Sequence, residues 1–287
     1  QAPAGQPRAS VMGTTTRSSR RAAAIACAVA LVAFLVVLAA PWQHGFANVD
    51  DYLYARQAHE FARALANGPA ALVEAWRAFG QNAPLVPTLA APLAAIDPSP
   101  HLLTLAQLPF VLLLAASCTV LLRALGLAGA RLALAAAAAA SAPPLLAWAA
   151  MFHFAFASAA LTVAALAAYM LSRGLRSLVA SAVFGLAIGL LCVARVIGSL
   201  YAGALIAAVA GDQLTRHGDW RERLRGALVA CSSAVLVATP WWAAAGGSAL
   251  RYSPPLATAS RPSPTRPVCS NARGNASTGQ LPRPAGS

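Results

Sequence analysis

Two adjacent acids, Asp50 and Asp51, follow the first long apolar run of a chain in which only 10% of the residues are charged. A carboxylate half out of water at the mouth of a helix bundle can act as a general base or bind a metal cation. The pair also suits the first turn of a helix capped by Asn48, where the helix dipole favours negative charge. The two roles are compatible, because a capped helix end also fixes the position of a carboxylate.

Arg195 is the only charged residue between Arg176 and Asp212. An ionisable side chain surrounded by apolar sequence is costly to bury and is therefore a candidate for function. A guanidinium is well shaped to bind a phosphate through paired hydrogen bonds. The alternative is an arginine that extends its charge to water or neutralises the end of a helix.

His153 lies among aromatic residues in the stretch AWAAMFHFAFAS. It is a candidate ligand-binding residue, and the alternative is a residue of the aromatic belt at a membrane surface. Trp241 and Trp242 need no role beyond that belt. The motifs of P-loop, Rossmann, serine hydrolase and zinc protease sites are absent from the sequence, which excludes a soluble nucleotide-using domain.

The composition indicates the elements that must position these residues. The chain is 59% hydrophobic, whereas soluble domains are about 45–50% apolar and about 25% charged. Its apolar blocks have the length that a helix needs to cross a bilayer, and helices satisfy their own backbone in lipid. The net charge of +13 comes from arginines that separate apolar blocks, so they indicate membrane orientation and no nucleic-acid partner.

We predict an all-α integral membrane protein, a polytopic bundle of about seven transmembrane helices. The predicted crossings are 22–40, 101–122, 132–152, 155–171, 178–194, 196–211 and 226–242. Segment 1–21 is then cytoplasmic, and three successive arginine-rich loops fall on the same side, as the positive-inside rule requires. These loops contain Arg123 and Arg131, Arg173 and Arg176, and Arg216, Arg221, Arg223 and Arg225. The alternative for 178–211 is one tilted helix with a re-entrant piece.

The first outer loop, 41–100, is predicted to carry two amphipathic helices, at 50–66 and 69–79. Tyr54, Ala58, Phe61 and Leu65 share one apolar face at helical spacing, and we expect both helices to lie on the membrane with the apolar face down. Segment 83–98 is apolar but too short to cross, so it is interfacial or re-entrant.

The transmembrane domain is expected to cover 22–250, and 251–287 forms a tail. The tail has no acid and little apolar content, so we expect it to be disordered. We hypothesise that a frameshift or truncation has replaced the original continuation of the chain.

The order of these parts resembles the GT-C glycosyltransferases that use polyprenyl-phosphate sugars. The likeness is to the dolichyl-phosphate-mannose–protein mannosyltransferase-like group, which includes lipid A aminoarabinose transferases and lipopolysaccharide core galacturonosyltransferases. It rests on NVDDYLYARQAHEFA, GLAIGLLCVARVIGSLY and VATPWWAAAGG, and covers about residues 20–250. The stretch QNAPLVPTLAAPL departs from the family pattern, which often has His-Pro-Pro-Leu there.

The resemblance implies transfer of a sugar from a polyprenyl-phosphate donor to a lipid A, glycan or protein acceptor on the outer face of the bacterial inner membrane. Asp50 matches the catalytic acid that deprotonates the acceptor hydroxyl, and Asp51 stands as a supporting or cation-binding carboxylate. Arg195 is expected to hold the donor phosphate, with Tyr54 and His153 as further substrate-binding residues. The resemblance implies no certain cofactor, a divalent cation is the one candidate, and the chemistry needs no nucleotide.

Two other classes remain open at this stage. A transporter or flippase-like permease also combines helices with an intramembrane arginine and outer acids, although 22–242 shows no internal repeat. A non-catalytic membrane subunit, the product of truncation, is the other alternative.

Overall fold

The computed structural model describes residues 9–40, 49–80, 82–97, 99–215 and 220–251. Asn48, Arg216 and the predicted tail beyond Arg251 lie outside these ranges. The described residues form twelve α-helices and no strand. The helices are α1 (Ala9–Leu38), α2 (Val49–Ala66), α3 (Pro69–Ala78), α4 (Leu85–Ala94), α5 (Pro100–Thr104), α6 (Leu108–Ala124), α7 (Gly129–Ala140), α8 (Pro143–Ala149), α9 (Phe154–Leu171), α10 (Leu178–Ala194), α11 (Gly198–Thr215) and α12 (Trp220–Arg251).

Several of these helices can cross a membrane, so the predicted all-helical membrane class is confirmed. In the described ranges, four segments are long and apolar enough to span a bilayer. They are Ser18–Leu38, Pro100–Ala124, Phe154–Leu171 and Trp220–Gly247. A fifth span results if α7 and α8, which meet at a bend of 51°, cross together.

The count of seven crossings stays a prediction. Each predicted block contains at least one helix, but α10 has 17 residues, about 26 Å at 1.5 Å per residue. Helix α11 ends in the polar sequence Asp212-Gln213, which lowers its apolar character. The chain leaves helical geometry at Arg195, with φ −161° and ψ 141°, so 178–211 forms two helices and not one.

The first helix is longer than predicted. It begins at Ala9, inside the segment 1–21 that we expected to be only a polar extension, and its membrane-capable part begins at Ser18. No proline interrupts the chain between Pro7 and Pro41, so the helix continues through the arginine- and threonine-rich turns.

Predicted block 132–152 is broken in two. Ala142 has φ −57° and ψ 131°, outside the helical region, and Pro143 begins α8. A residue before proline is disfavoured in helical geometry, and the proline cannot donate to the preceding turn. The consecutive prolines therefore produce the bend.

The two helices of the outer loop form within one residue of their predicted bounds, but the expected position of α2 is wrong. Its apolar face, with Tyr54, Ala58 and Phe61 buried, is covered by protein and not by lipid. Helix α2 packs on α4, which contributes Val86 and Ala90 to the same core. Helix α4, which forms in the apolar segment that is too short to cross a membrane, therefore covers the face of α2 that we expected to contact lipid.

Helices α10 and α12 approach closely because glycines lie between them. A Cβ at Gly185 would overlap the carbonyl oxygen of Ala230, and a Cβ at Gly189 would lie 2.6 Å from that of Ala234. Small residues let membrane helices pack backbone against backbone. This contact holds α10, and with it Arg195, in the bundle.

Candidate active site at one end of the bundle

The acid pair lies in the first turn of α2, as predicted, but its two members face different surroundings. The side chain of Asp50 is 63% exposed, whereas Asp51 is 1% exposed. Neighbouring residues of a helix point about 100° apart, so one carboxylate faces outward and the other inward. Asp50 is therefore the carboxylate that an acceptor can reach.

His153 faces Asp50 from the start of α9. Its Nδ1 accepts the backbone N–H of Ala155 at 3.1 Å and so caps the helix. The proton of the neutral ring is then on Nε2. Nε2 lies 3.8 Å from Oδ2 of Asp50, beyond direct hydrogen-bond distance.

The environment keeps the imidazole of His153 neutral. Burial lowers the pKa of His153, and the charge of Arg195 acts in the same direction. The carboxylates of Asp51 and Asp50 raise the pKa again but do not cancel the effect of burial. Near neutral pH the ring therefore presents an N–H, and no charge, to Asp50.

Tyr54 lies one turn after Asp50 and is 7% exposed. Its ring stands edge-on to His153 at 5.9 Å and to Phe154 at 5.3 Å between centroids. Burial, followed by the charge of Asp50, raises the pKa of the phenol. Tyr54 is therefore an un-ionised hydroxyl beside the exposed carboxylate.

Arg195 is half-buried and reaches the same group of side chains from the end of α10. Its guanidinium carbon lies 4.5 Å from the centroid of the Phe154 ring. Such a cation–π contact contributes roughly 0.5–2 kcal/mol, depending on how far the pair is desolvated. The contact places the guanidinium over the ring of Phe154, beside the group formed by His153 and Tyr54.

Two residues that position the site were not predicted. Gln107, fully buried, donates from Nε2 to the carbonyl oxygen of His153 at 2.5 Å and more weakly to that of Met151 at 3.4 Å. Phe154 contacts His153, Tyr54 and Arg195. A lone glutamine within the apolar block 101–122 was the signal available for Gln107, whereas Phe154 has no distinguishing signal among its aromatic neighbours.

The structure thus brings together the five site residues named from sequence. Asp50, Tyr54, His153 and Arg195 are linked by direct contacts with each other or through Phe154. Asp51 acts on His153 through its charge.

The divalent cation finds no donor set here. The described residues contain no group of three or more His, Cys, Asp or Glu side chains that could hold a metal ion. The divalent cation therefore stays a prediction, and the residue roles derived below are those of side chains alone.

No protein-family model matches the chain, and no curated protein or solved structure is significantly similar to it. The function is therefore argued from the geometry of the site and from the order of the sequence motifs.

Proposed function

We propose that the chain is a GT-C-type membrane glycosyltransferase, which transfers a sugar from a polyprenyl-phosphate donor to a hydroxyl of a lipid, glycan or protein acceptor. One observation carries the proposal. An exposed carboxylate, Asp50, and a half-buried guanidinium, Arg195, lie at the same end of a membrane helix bundle, on either side of the adjacent residues His153 and Phe154. A base for an alcohol and a cation for a phosphate are the two groups that this transfer needs.

In the proposed reaction, Asp50 takes the proton of the acceptor hydroxyl as its oxygen attacks the anomeric carbon of the donor sugar. A new carbon–oxygen bond forms, and the bond from the anomeric carbon to the phosphate oxygen breaks. The polyprenyl phosphate leaves with that electron pair. Arg195 stabilises the negative charge that develops on the leaving phosphate.

The neighbouring groups position these two residues. The Nε2–H of neutral His153 lies 3.8 Å from Oδ2 of Asp50 and faces the carboxylate that acts as the base. The un-ionised Tyr54 hydroxyl is available to hydrogen-bond the sugar or the acceptor. Phe154 contacts the guanidinium of Arg195, whose carbon lies 4.5 Å from the centroid of the ring.

The proposed location is the outer face of the bacterial inner membrane, with the amino terminus in the cytoplasm. Gln107 touches the site and lies at the start of α6, whereas Arg123 lies near the end of that helix, about 24 Å away at 1.5 Å per residue. Arg123 contacts Ser19 of α1, so the arginine-rich ends of α1 and α6 lie opposite the site. Under the positive-inside rule, this arrangement supports a non-cytoplasmic site.

The test is sugar transfer in membranes that contain the full chain. Radiolabelled aminoarabinose, galacturonic acid and mannose donors on polyprenyl phosphate are offered with lipid A as acceptor. We expect Asp50→Asn to reduce transfer by about 10²–10⁴-fold, the usual contribution of a general base. The matched control is Glu60→Gln on the same helix, an acid whose side chain is 40% exposed and pairs with Arg63 at 3.2 Å, which should retain full transfer.

Unchanged transfer in Asp50→Asn contradicts the assignment of the base. Solute uptake that depends on Asp50 and Arg195, without transfer of any offered sugar, favours the permease. A wild-type chain that neither transfers sugar nor binds polyprenyl phosphate favours a non-catalytic subunit.

A further inference from the structure

Three arginines gather where α1, α6 and α7 meet, at the end of the bundle away from the site. Arg21 and Arg123 line two adjoining cavities of about 360 Å³ and about 230 Å³, which share Ser18 and Gly129. Arg131 lines a third cavity of about 660 Å³ around the α6–α7 turn. We refer to these three cavities as the basic cavity cluster.

The basic cavity cluster has no acid of its own to neutralise it. Helices α1, α6 and α7 pack on one another. Asp and Glu are absent from 1–49 and from 98–211, the sequence ranges that contain these helices. Arg123 donates to the hydroxyl of Ser19, which satisfies a donor but leaves the charge uncompensated. Several like charges around concave surfaces attract an anion.

The position of the arginines favours a lipid over a soluble anion. Arg21 lies near the start of the membrane-capable segment Ser18–Leu38, and Arg123 lies next to the end of Pro100–Ala124. The ends of membrane-spanning helices lie at the level of the lipid headgroups. The cavity of Arg21 is also lined by Ile25 and Ala133, so its wall becomes apolar in the direction of the acyl chains.

We propose that the basic cavity cluster binds the phosphate headgroup of an anionic phospholipid of the adjacent leaflet. Guanidinium groups bind phosphate oxygens through paired hydrogen bonds, and basic pockets between membrane helices suit such headgroups. The cavities of Arg21 and Arg123 adjoin, so a headgroup with two phosphates, as in cardiolipin, contacts both arginines at once. This site is independent of the proposed sugar transfer, because it lies at the opposite end of α6.

The test measures lipid binding to the purified full chain by native mass spectrometry, with cardiolipin, phosphatidylglycerol and phosphatidylcholine as probes. We expect cardiolipin to bind best and phosphatidylcholine least. The double variant Arg21→Gln/Arg123→Gln should lose on the order of tenfold or more in cardiolipin affinity, since two charge-assisted contacts are removed. The matched control is Arg20→Gln, which removes the same charge from the same turn of α1 but lines none of the three cavities.

Three results overturn the proposal. Cardiolipin affinity that is unchanged in the double variant removes the site. An equal loss in Arg20→Gln shows that general surface charge, and not the cavities, binds the lipid. Displacement of cardiolipin by millimolar inorganic phosphate assigns the site to a soluble anion. If the double variant does not fold, Arg21→Gln alone must weaken cardiolipin binding, and an unchanged affinity counts against the proposal.

Discussion

Nε2 of His153 lies 3.8 Å from Oδ2 of Asp50, so the residue that caps α9 faces the first turn of α2. The imidazole cannot rotate away without losing the hydrogen bond from Ala155 to Nδ1. The start of a membrane helix and the position of an exposed carboxylate are therefore coupled through one side chain. In the proposed enzyme, the N–H of His153 therefore has a fixed position beside Asp50 when the acceptor arrives.

Arg195 is predicted to act by binding the donor phosphate. Arg195→Ala removes a hydrogen-bonded charge, worth about 1.5–3 kcal/mol, so kcat/KM for the donor should fall roughly 10- to 100-fold. Arg195→Lys keeps the charge but loses the planar fork, and should give an intermediate value. Arg77→Ala in α3, an exposed arginine paired with Glu74, is the control. Equal affinity of wild type and Arg195→Ala for polyprenyl phosphate contradicts this role.

His153 is predicted to make stability depend on pH. Its pKa in the folded chain is lowered, chiefly by burial, below the ordinary value of about 6.5. As the pH falls below the ordinary pKa, His153 of the unfolded chain takes up a proton while the folded chain stays neutral. The free energy of unfolding therefore falls, until the pH has passed the lowered pKa of the folded chain. Above the ordinary pKa of histidine, the contribution of His153 to the free energy of unfolding is fully restored.

The measurement is the thermal midpoint in detergent at a series of values between about pH 5 and pH 8. His153→Asn keeps an acceptor for the cap of α9 but removes the titrating group. The acid-side loss should therefore be smaller in this variant than in wild type. Parallel pH curves for the two proteins would show that His153 is not the group responsible.

Gln107 is predicted to stabilise the site through the turn before α9. Gln107→Leu leaves the buried carbonyl of His153 without its donor, so we expect a loss of about 1–3 kcal/mol in unfolding free energy and a lower sugar-transfer rate. Gln57 is a matched control, since it is equally buried and its amide makes no hydrogen bond within the described residues. Gln57→Leu should be neutral or stabilising. Equal losses in both variants would assign the effect to burial alone.

The close contacts of α12 with α10 and with the turn before α10 are predicted to tolerate no added methyl group. Gly226→Ala places a Cβ on the carbonyl of Leu175, and Gly185→Ala places one on Ala230. Overpacking of this kind costs typically about 1–3 kcal/mol. Gly203→Ala in α11 meets nothing within 4 Å and should not destabilise, because alanine favours a helix. Tryptophan fluorescence during detergent unfolding distinguishes them, and equal midpoints for Gly226→Ala and Gly203→Ala refute the close contact.

Much of the local structure was predictable from single stretches of sequence. The end of α2 follows from the break at Asn67-Gly68, where Gly68 has φ 101°. The start of α3 follows from Pro69, which occupies the first position of that helix. The apolar blocks predicted helices because backbone groups in lipid must pair within their own segment. The bend between α7 and α8 also depends on a short stretch of sequence, because Pro143 produces it. It was not predicted, because block 132–152 was identified from its overall apolar composition.

The burial of α2 and the roles of Gln107 and Phe154 were not predictable in this way. Whether the Tyr54 face meets lipid or α4 depends on how 83–98 folds back, and both surroundings are apolar. Gln107 and Phe154 gain their roles only because α6, α9 and α10 converge at one end.

The sequence by itself determined the helical membrane class, the bounds of α2, α3, α9 and α10 to within one residue, and the chemical types available at Asp50, His153 and Arg195. These depend on hydrophobic periodicity and residue type, which are properties of short segments. Only the tertiary structure decided that Asp50 faces outward while Asp51 faces inward, and that Arg195 lies on the ring of Phe154. Contacts between distant segments depend on how side chains pack between helices, and hydrophobic pattern alone does not distinguish one helix partner from another.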